Sequence, residues 1–189
     1  MKVRDSGMPE QSYWESLFDV RLILNKMDIT RDIKSLVEFG CGYGTFTLPS
    51  AKVVSGKIIA FDIDDQMLEI INARAISSNL NNVSILKRDF ISEGTGIEND
   101  SADYVMLFNI LHHVEPSEIL TEAYRILKKG GRVGLIHWNY DSKTPRGPSM
   151  DIRPKPEDMR NWILNVGFRL ESDLIDLPPY HYGFVAYKR

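Results

Sequence analysis

The chain has 189 residues, 43% of them hydrophobic and 26% charged, the profile of one ordinary globular domain able to bury a sizeable core. Its formal net charge of −3 gives no whole-chain attraction to nucleic acid or an anionic membrane. The single cysteine, Cys41, excludes an intramolecular disulfide and a cysteine-based metal site.

The elements follow in chain order. Residues 1–9 carry Gly7 and Pro9 and no apolar signal core, so a cytoplasmic protein is expected. Glu10 to Lys26 reads as one amphipathic helix, with Tyr13, Leu17, Val20 and Leu24 near one face. Ser35–Phe39 is a buried strand, Gly44–Val54 a short helix, Lys57–Ile63 a second strand and Asp65–Ser78 a second long helix. Asn82–Lys87 and Ser101–Asn109 are the third and fourth strands. Glu115–Leu127 reads as a helix stopped by Lys128-Lys129-Gly130-Gly131, basic residues and then glycine. Arg132–Trp138 is a fifth strand, and 140–156 a loop with Pro145, Gly147, Pro148 and Pro154. Glu157–Val166 is a helix ending at Gly167, and Phe168–Asp176 and His181–Lys188 are two closing strands. No run is apolar and long enough to span a bilayer. Alternating strands and helices imply an α/β, doubly wound, mostly parallel sheet with helices on both faces. The last two strands are joined too closely for a crossover, so one must run antiparallel.

The most informative stretch is Leu36-Val37-Glu38-Phe39-Gly40-Cys41-Gly42-Tyr43-Gly44-Thr45-Phe46. An apolar strand breaks into alternating glycines, which lets the backbone turn sharply and lets a ligand approach the main chain. Alone, such a turn is shared by dinucleotide, phosphate and nucleoside binders. Here Thr45 stands where the third glycine of a dinucleotide fingerprint would fall, and Glu38 stands just ahead of the first glycine. Glu38 through Gly44 resembles the first motif of class I S-adenosylmethionine-dependent methyltransferases, (Asp/Glu)-x-Gly-x-Gly-x-Gly.

The resemblance covers nearly the whole chain. It implies a Rossmann-like seven-stranded sheet with one antiparallel strand. It also implies one domain over 1–189, with 1–30 as a helical cap over the cofactor site and 31–189 as the core. The expected cofactor is S-adenosylmethionine, with S-adenosylhomocysteine as product and no metal. Ligands in such sheets sit beyond the carboxyl ends of the strands. The implied cofactor contacts are Gly40, Cys41, Gly42 and Gly44, with Glu38 near the methionyl end. Asp62, which ends the second strand, would accept the ribose hydroxyls, with Ile63 and Met67 beside it. Asp89 and Phe90 would meet the adenine, and Asn109 the methionyl portion. Tyr13 is included because family members often close the site with an N-terminal aromatic residue.

The stretch Phe108-Asn109-Ile110-Leu111-His112-His113-Val114 is similar to one found in small-molecule methyltransferases of the ubiquinone and menaquinone branch. His112 and His113 are candidate bases, since an imidazole titrates near neutral pH. Methyl transfer from a sulfonium can also run on in-line positioning alone. The substrate side would draw on Trp14, Trp138, Arg146 and Arg153; arginines in a loop can grip a carboxylate or phosphate. No (Asn/Asp)-Pro-Pro-(Tyr/Phe/Trp) sequence ends the fourth strand, which disfavours amino methylation of nucleobases. The expected partner is a small-molecule methyl acceptor, without nucleic acid or membrane, for a monomer or homodimer. Two alternatives stay open: a non-catalytic nucleoside- or partner-binding protein of the same fold, and an NAD(P)-dependent oxidoreductase.

Overall fold

The computed structural model describes residues 8–112, 115–171 and 173–189. Five strands run parallel: β1 (Ser35–Phe39), β2 (Lys57–Asp62), β3 (Val83–Lys87), β4 (Ala102–Phe108) and β5 (Leu127–Trp138), in the spatial order β3-β2-β1-β4-β5. Beyond β5 lies β8 (His181–Tyr187), antiparallel to it, and the far edge of β8 carries β6 (Arg169–Leu170) and β7 (Ile175–Leu177). The predicted sixth strand is therefore two short segments on one edge, and the sheet has eight strand segments rather than seven.

The sheet separates two apolar layers. Val37, Phe39, Val105, Leu107, Val133 and Leu135 face α6 (Pro116–Ile126) and α7 (Pro156–Val166). Leu36, Ile58, Tyr104, Met106 and Ile136 face the other way, toward α2 (Val20–Lys26) and α3 (Thr47–Val53). The alternation follows the two-residue period of a strand. Covered on both faces, β1 and β4 read as nearly continuous apolar runs, whereas the edge strand β3 is half exposed. Each large side chain removed from water contributes roughly 1.5–3 kcal/mol. The remaining helices are α1 (Gln11–Glu15), α4 (Asp65–Ser77) and a short α5 (Phe90–Glu93) that the sequence pattern did not signal.

Three expectations of the sequence are revised. The single helix over 10–26 is α1 and α2, separated by a break. The Glu10 carboxylate accepts from the Ser12 and Tyr13 N–H groups, and Asp19 accepts from Leu22 N–H at 3.0 Å. Each acid starts its own helix, and Leu17 and Phe18 turn into the core between them. The glycine pair after α6 is not a helix cap. Leu127 is already extended, and residues 128–131 bulge from β5, because Ala102 pairs with Leu127 and Tyr104 with Arg132. The helix predicted from Gly44 begins only at Thr47. Among the described residues no helix is long and apolar enough to cross a membrane.

Candidate functional site

The glycine loop leaves β1 at the point where the sheet order reverses, between β2 and β4, the position at which open α/β sheets bind ligands. Gly40 N–H and Cys41 N–H both donate to the Phe61 carbonyl at 2.9 Å, which pins the loop to β2. Gly42 and Gly44 have φ of +49° and +75°, in the left-handed region. Their surroundings differ. A Cβ on Gly44 would lie 2.8 Å from Ile71, inside the scaffold, whereas one on Gly42 would meet only Met8 Cε at 3.4 Å. Gly42 is thus the glycine turned away from the fold.

Two buried carboxylates back the loop. Asp62 Oδ2 accepts from Gly42 N–H at 2.7 Å, and Oδ1 accepts from Ile63 and Asp64 N–H at 2.8 and 3.1 Å. Glu38 accepts from the Thr47 hydroxyl and is 2% exposed. Burial pushes its pKa up to about 8; the Thr47 bond opposes that shift and the Asp62 charge adds to it. Cys41 is 5% exposed and packs in the apolar cluster with Leu48 and Ile71, and burial raises its thiol.

The elements around the loop converge on it. Tyr43 donates to the Pro9 carbonyl at 2.8 Å, and Arg74 pairs with Glu15 at 2.8 Å, so the segment carrying α1 lies against the loop. Tyr13 on α1 is 43% exposed, while Trp14 packs inward on Phe18 at 4.9 Å. Asp64, not Asp62, caps α4; Ile63 is partly exposed and Met67 buried. Asp89 accepts from Ile91 and Ser92 N–H at 3.2 Å as the cap of α5, and Phe90 packs on Phe39 at 4.8 Å. At the exit of β4, Ile110 comes within 2.9 Å of the Gly40 Cβ position. Its neighbour Asn109 has φ +60°, and both polar atoms of its side chain are buried without a hydrogen-bond partner among the described residues.

Next to this exit lie three histidines. His112 Nδ1 is 3.4 Å from His137 Nε2. His137 and His181 are fully buried, and burial holds both well below the usual imidazole range, His181 at about 3. His181 stacks on Phe18 at 4.5 Å and meets Trp138 at 4.2 Å. Trp14 meets Trp138 at 6.0 Å, so both tryptophans belong to one aromatic cluster. His113 lies outside the described residues.

Arg153 does something other than grip a ligand. Nε and Nη2 donate to the Pro148 carbonyl at 3.1 and 2.8 Å, and Nη1 donates to the Asn139 and Asp141 carbonyls at 3.0 Å. Nη1 also reaches the Thr144 hydroxyl, and Nη2 the Arg146 carbonyl. With its five N–H groups turned to the loop's own acceptors, this buried arginine is a latch for residues 139–149. Arg146 enters that latch through its carbonyl.

A family profile described as "Methyltransferase domain" matches residues 36–131, just over half of the chain. The chain belongs to this family. Among related proteins, one of Methanosphaera stadtmanae named for ribosomal RNA small subunit methyltransferase A is 37% identical over 161 residues, covering 85% of this chain and 54% of that protein. The demethylmenaquinone methyltransferase of Lactococcus lactis is 30% identical over 109 residues, covering 56% and 42%. This chain spans about half the length of the curated relatives it matches. A solved S-adenosylmethionine-dependent methyltransferase of Aquifex aeolicus shares the fold, with a TM-score of 0.81 at 21% identity over 94% of this chain and 93% of that one.

The methyltransferase domain's own atoms fit its family's cofactor. Gly42 leaves a bare backbone face, Asp62 Oδ2 holds one hydrogen bond and has a lone pair to spare, and the Asn109 amide has a donor and an acceptor with no partner among the described residues. Two site features escaped the sequence reading, His137 and the latch role of Arg153. His137 sits inside the apolar run Val133–Trp138 and read as part of a strand; its signal was position, a titratable residue at a strand's carboxyl end.

Proposed function

We propose that this domain binds S-adenosylmethionine in the Gly40–Gly44 cradle and directs its methyl group to a small-molecule nucleophile. The observation that carries the reading is the outward face of Gly42 joined by hydrogen bond to Asp62 at the sheet's switch point. When bound, the cofactor supplies an activated methyl group on a sulfonium. Asp62 holds the Gly42 N–H, so it is the α3 side of the loop that offers backbone N–H groups to a carboxylate. Glu38 faces the positive end of the ligand, and ionising it there relieves a buried carboxyl of its proton. Asp62 accepts a ribose hydroxyl while keeping its backbone bonds. Asp89 and Phe90 border the adenine, Ile63 and Met67 the ribose side, and Asn109 the methionyl chain. Tyr13 and the 1–30 segment cap the site over the 31–189 core. Trp14 and Trp138 wall the acceptor side, and His112 faces the acceptor. The work of these residues is orientation and exclusion of water, which can supply much of a displacement reaction's rate.

The menaquinone relative supports a small acceptor, and the chain's net charge of −3 agrees. The Methanosphaera relative favours a second reading, an RNA acceptor. We place the protein in the cytoplasm as a monomer or homodimer. Calorimetric titration with S-adenosylmethionine, S-adenosylhomocysteine and NAD tests the cofactor. Micromolar binding of the first two without NAD supports the reading. NAD binding alone overturns it in favour of an oxidoreductase, and no binding at all favours a non-catalytic protein. A salt-dependent shift of structured RNA by the protein would favour the second reading.

A further inference from the structure

His181 opens β8 opposite Trp138, the last residue of β5, on the carboxyl rim of the sheet that also carries the glycine loop. Its ring is fully buried among aromatic neighbours. It stacks on Phe18 at 4.5 Å with planes at 26°, and meets Trp138 at 4.2 Å. Neither of its nitrogens has a hydrogen-bond partner among the described residues. Burial keeps the imidazole neutral, with one donor and one acceptor. Leaving both unpaired away from water is destabilising, and a phenylalanine would make the same stack without that penalty. The rings around His181 lead back to the cofactor cradle. Phe18 meets Phe46 at 5.2 Å, and Phe46, just past the glycine loop, meets Phe108 at 5.0 Å at the end of β4. Trp14 completes the group, 4.9 Å from Phe18 and 6.0 Å from Trp138. It is the least buried member, and it sits on α1, a five-residue helix with no buried residue.

We propose that Trp14, Phe18, Trp138 and His181 form the methyl-acceptor subsite, with Trp14 as its door, and that the acceptor is a flat, uncharged molecule whose polar atom hydrogen-bonds to His181. This rests on the reading above that Trp14 and Trp138 wall the acceptor side of a cofactor-loaded cradle. Aromatic side chains pack a flat ring at the distances they already keep from one another. The imidazole adds what those rings lack, an N–H and a lone pair, which suit a hydroxyl, a carbonyl or a ring nitrogen. Charged acceptors fit less well. An ammonium could use the ring faces but has no lone pair to receive the His181 N–H. A carboxylate could receive it but would be buried without a counter-ion, because Arg153 spends its N–H groups on the carbonyls of its own loop. His181 is thus a specificity-determining residue, which selects the acceptor and fixes how it lies against the methyl donor.

The test titrates the full chain, carrying 15N-labelled histidine, with 1-naphthol, naphthalene, 1-naphthoate and 1-naphthylmethylammonium, and follows the histidine ring signals. 1-Naphthol should bind about threefold to tenfold more tightly than naphthalene, more tightly than either charged probe, and should move the His181 signals. His181→Phe should be at least as stable as wild type, and in it the advantage of 1-naphthol over naphthalene should vanish. Trp14→Ala should bind and release 1-naphthol faster. Equal affinities for 1-naphthol and naphthalene in wild type overturn the proposal, as does tighter binding of a charged probe or no binding of any. His181 signals that 1-naphthol leaves unmoved, as they would be if an ordered water already satisfied the ring, overturn it too. If His181→Phe does not fold, the wild-type ranking of the four probes decides. S-adenosylhomocysteine titrated into the same samples keeps the two readings apart. Its binding without a preference for 1-naphthol sinks this subsite alone. A preference for 1-naphthol that depends on His181, without binding of S-adenosylhomocysteine, sinks the cofactor reading and leaves His181 as the ligand's partner.

Discussion

Glu38 gives the molecule a pH dependence that can be worked out in advance. The carboxyl is 2% exposed, its ordinary pKa of 4.5 is raised to about 8, and burial is the largest cause. In the unfolded chain it ionises near pH 4.5, while the folded protein keeps the proton to about pH 8. Between those values the folded state binds more protons, so its stability falls as pH rises. The slope is about 1.4 kcal/mol per pH unit, and the gap of about 3.5 units amounts to about 5 kcal/mol by pH 8, a large part of an ordinary domain's 5–15 kcal/mol. Glu38→Gln keeps the shape and the hydrogen bond capacity toward Thr47 but cannot ionise. Denaturant unfolding of the unliganded proteins at matched pH cancels every other titrating group. The variant should gain on wild type by about 3 kcal/mol between pH 5 and pH 7, and the difference should level off above pH 8. Parallel stability curves for the two proteins would refute the assignment of a buried, protonated Glu38.

Other changes separate scaffold from site. Gly42→Ala should cost about 1 kcal/mol of stability for its positive φ yet weaken S-adenosylhomocysteine binding more than tenfold by calorimetry. Gly44→Ala, with its Cβ forced onto Ile71, should lower the thermal midpoint more than Gly42→Ala does. Asp62→Ala leaves three N–H groups without their acceptor; it should lose at least tenfold in cofactor affinity, and unchanged affinity removes Asp62 from the site. Arg153→Lys gives up the planar fork that spans the loop carbonyls; amides of residues 139–149 should exchange faster, while those of β1 and β4 should not.

The alternation of strands and helices was legible because β1, β2 and β4 are covered on both faces and read as apolar runs. The glycine loop and Asp62 were legible because their residue types and spacing depend on backbone geometry that few other residues provide. What stayed hidden depended on contacts between distant segments. Glu10 to Lys26 carries a helical pattern throughout, and only the caps at Glu10 and Asp19 divide it. Gly130-Gly131 looks like a helix stop until Gly130 N–H is seen to donate to Lys188 at the far end of the chain. Arg153 reads as a free cation in a loop, and its partners are carbonyls, which every residue carries. His137 is named by its neighbour across the sheet, which strand pattern alone does not specify.

On the proposed reading, the bond between Asp62 and Gly42 joins the half of the cradle that would take a nucleoside to the half that would take an amino acid. One carboxylate would therefore both meet the nucleoside and hold in place the loop backbone that lies beside the other end of the ligand. Adenosine alone, by ordering Asp62, would leave the glycine loop ready for methionine. The two fragments should thus bind together more tightly than their separate affinities predict, and removing the carboxylate should abolish that coupling along with the nucleoside contact.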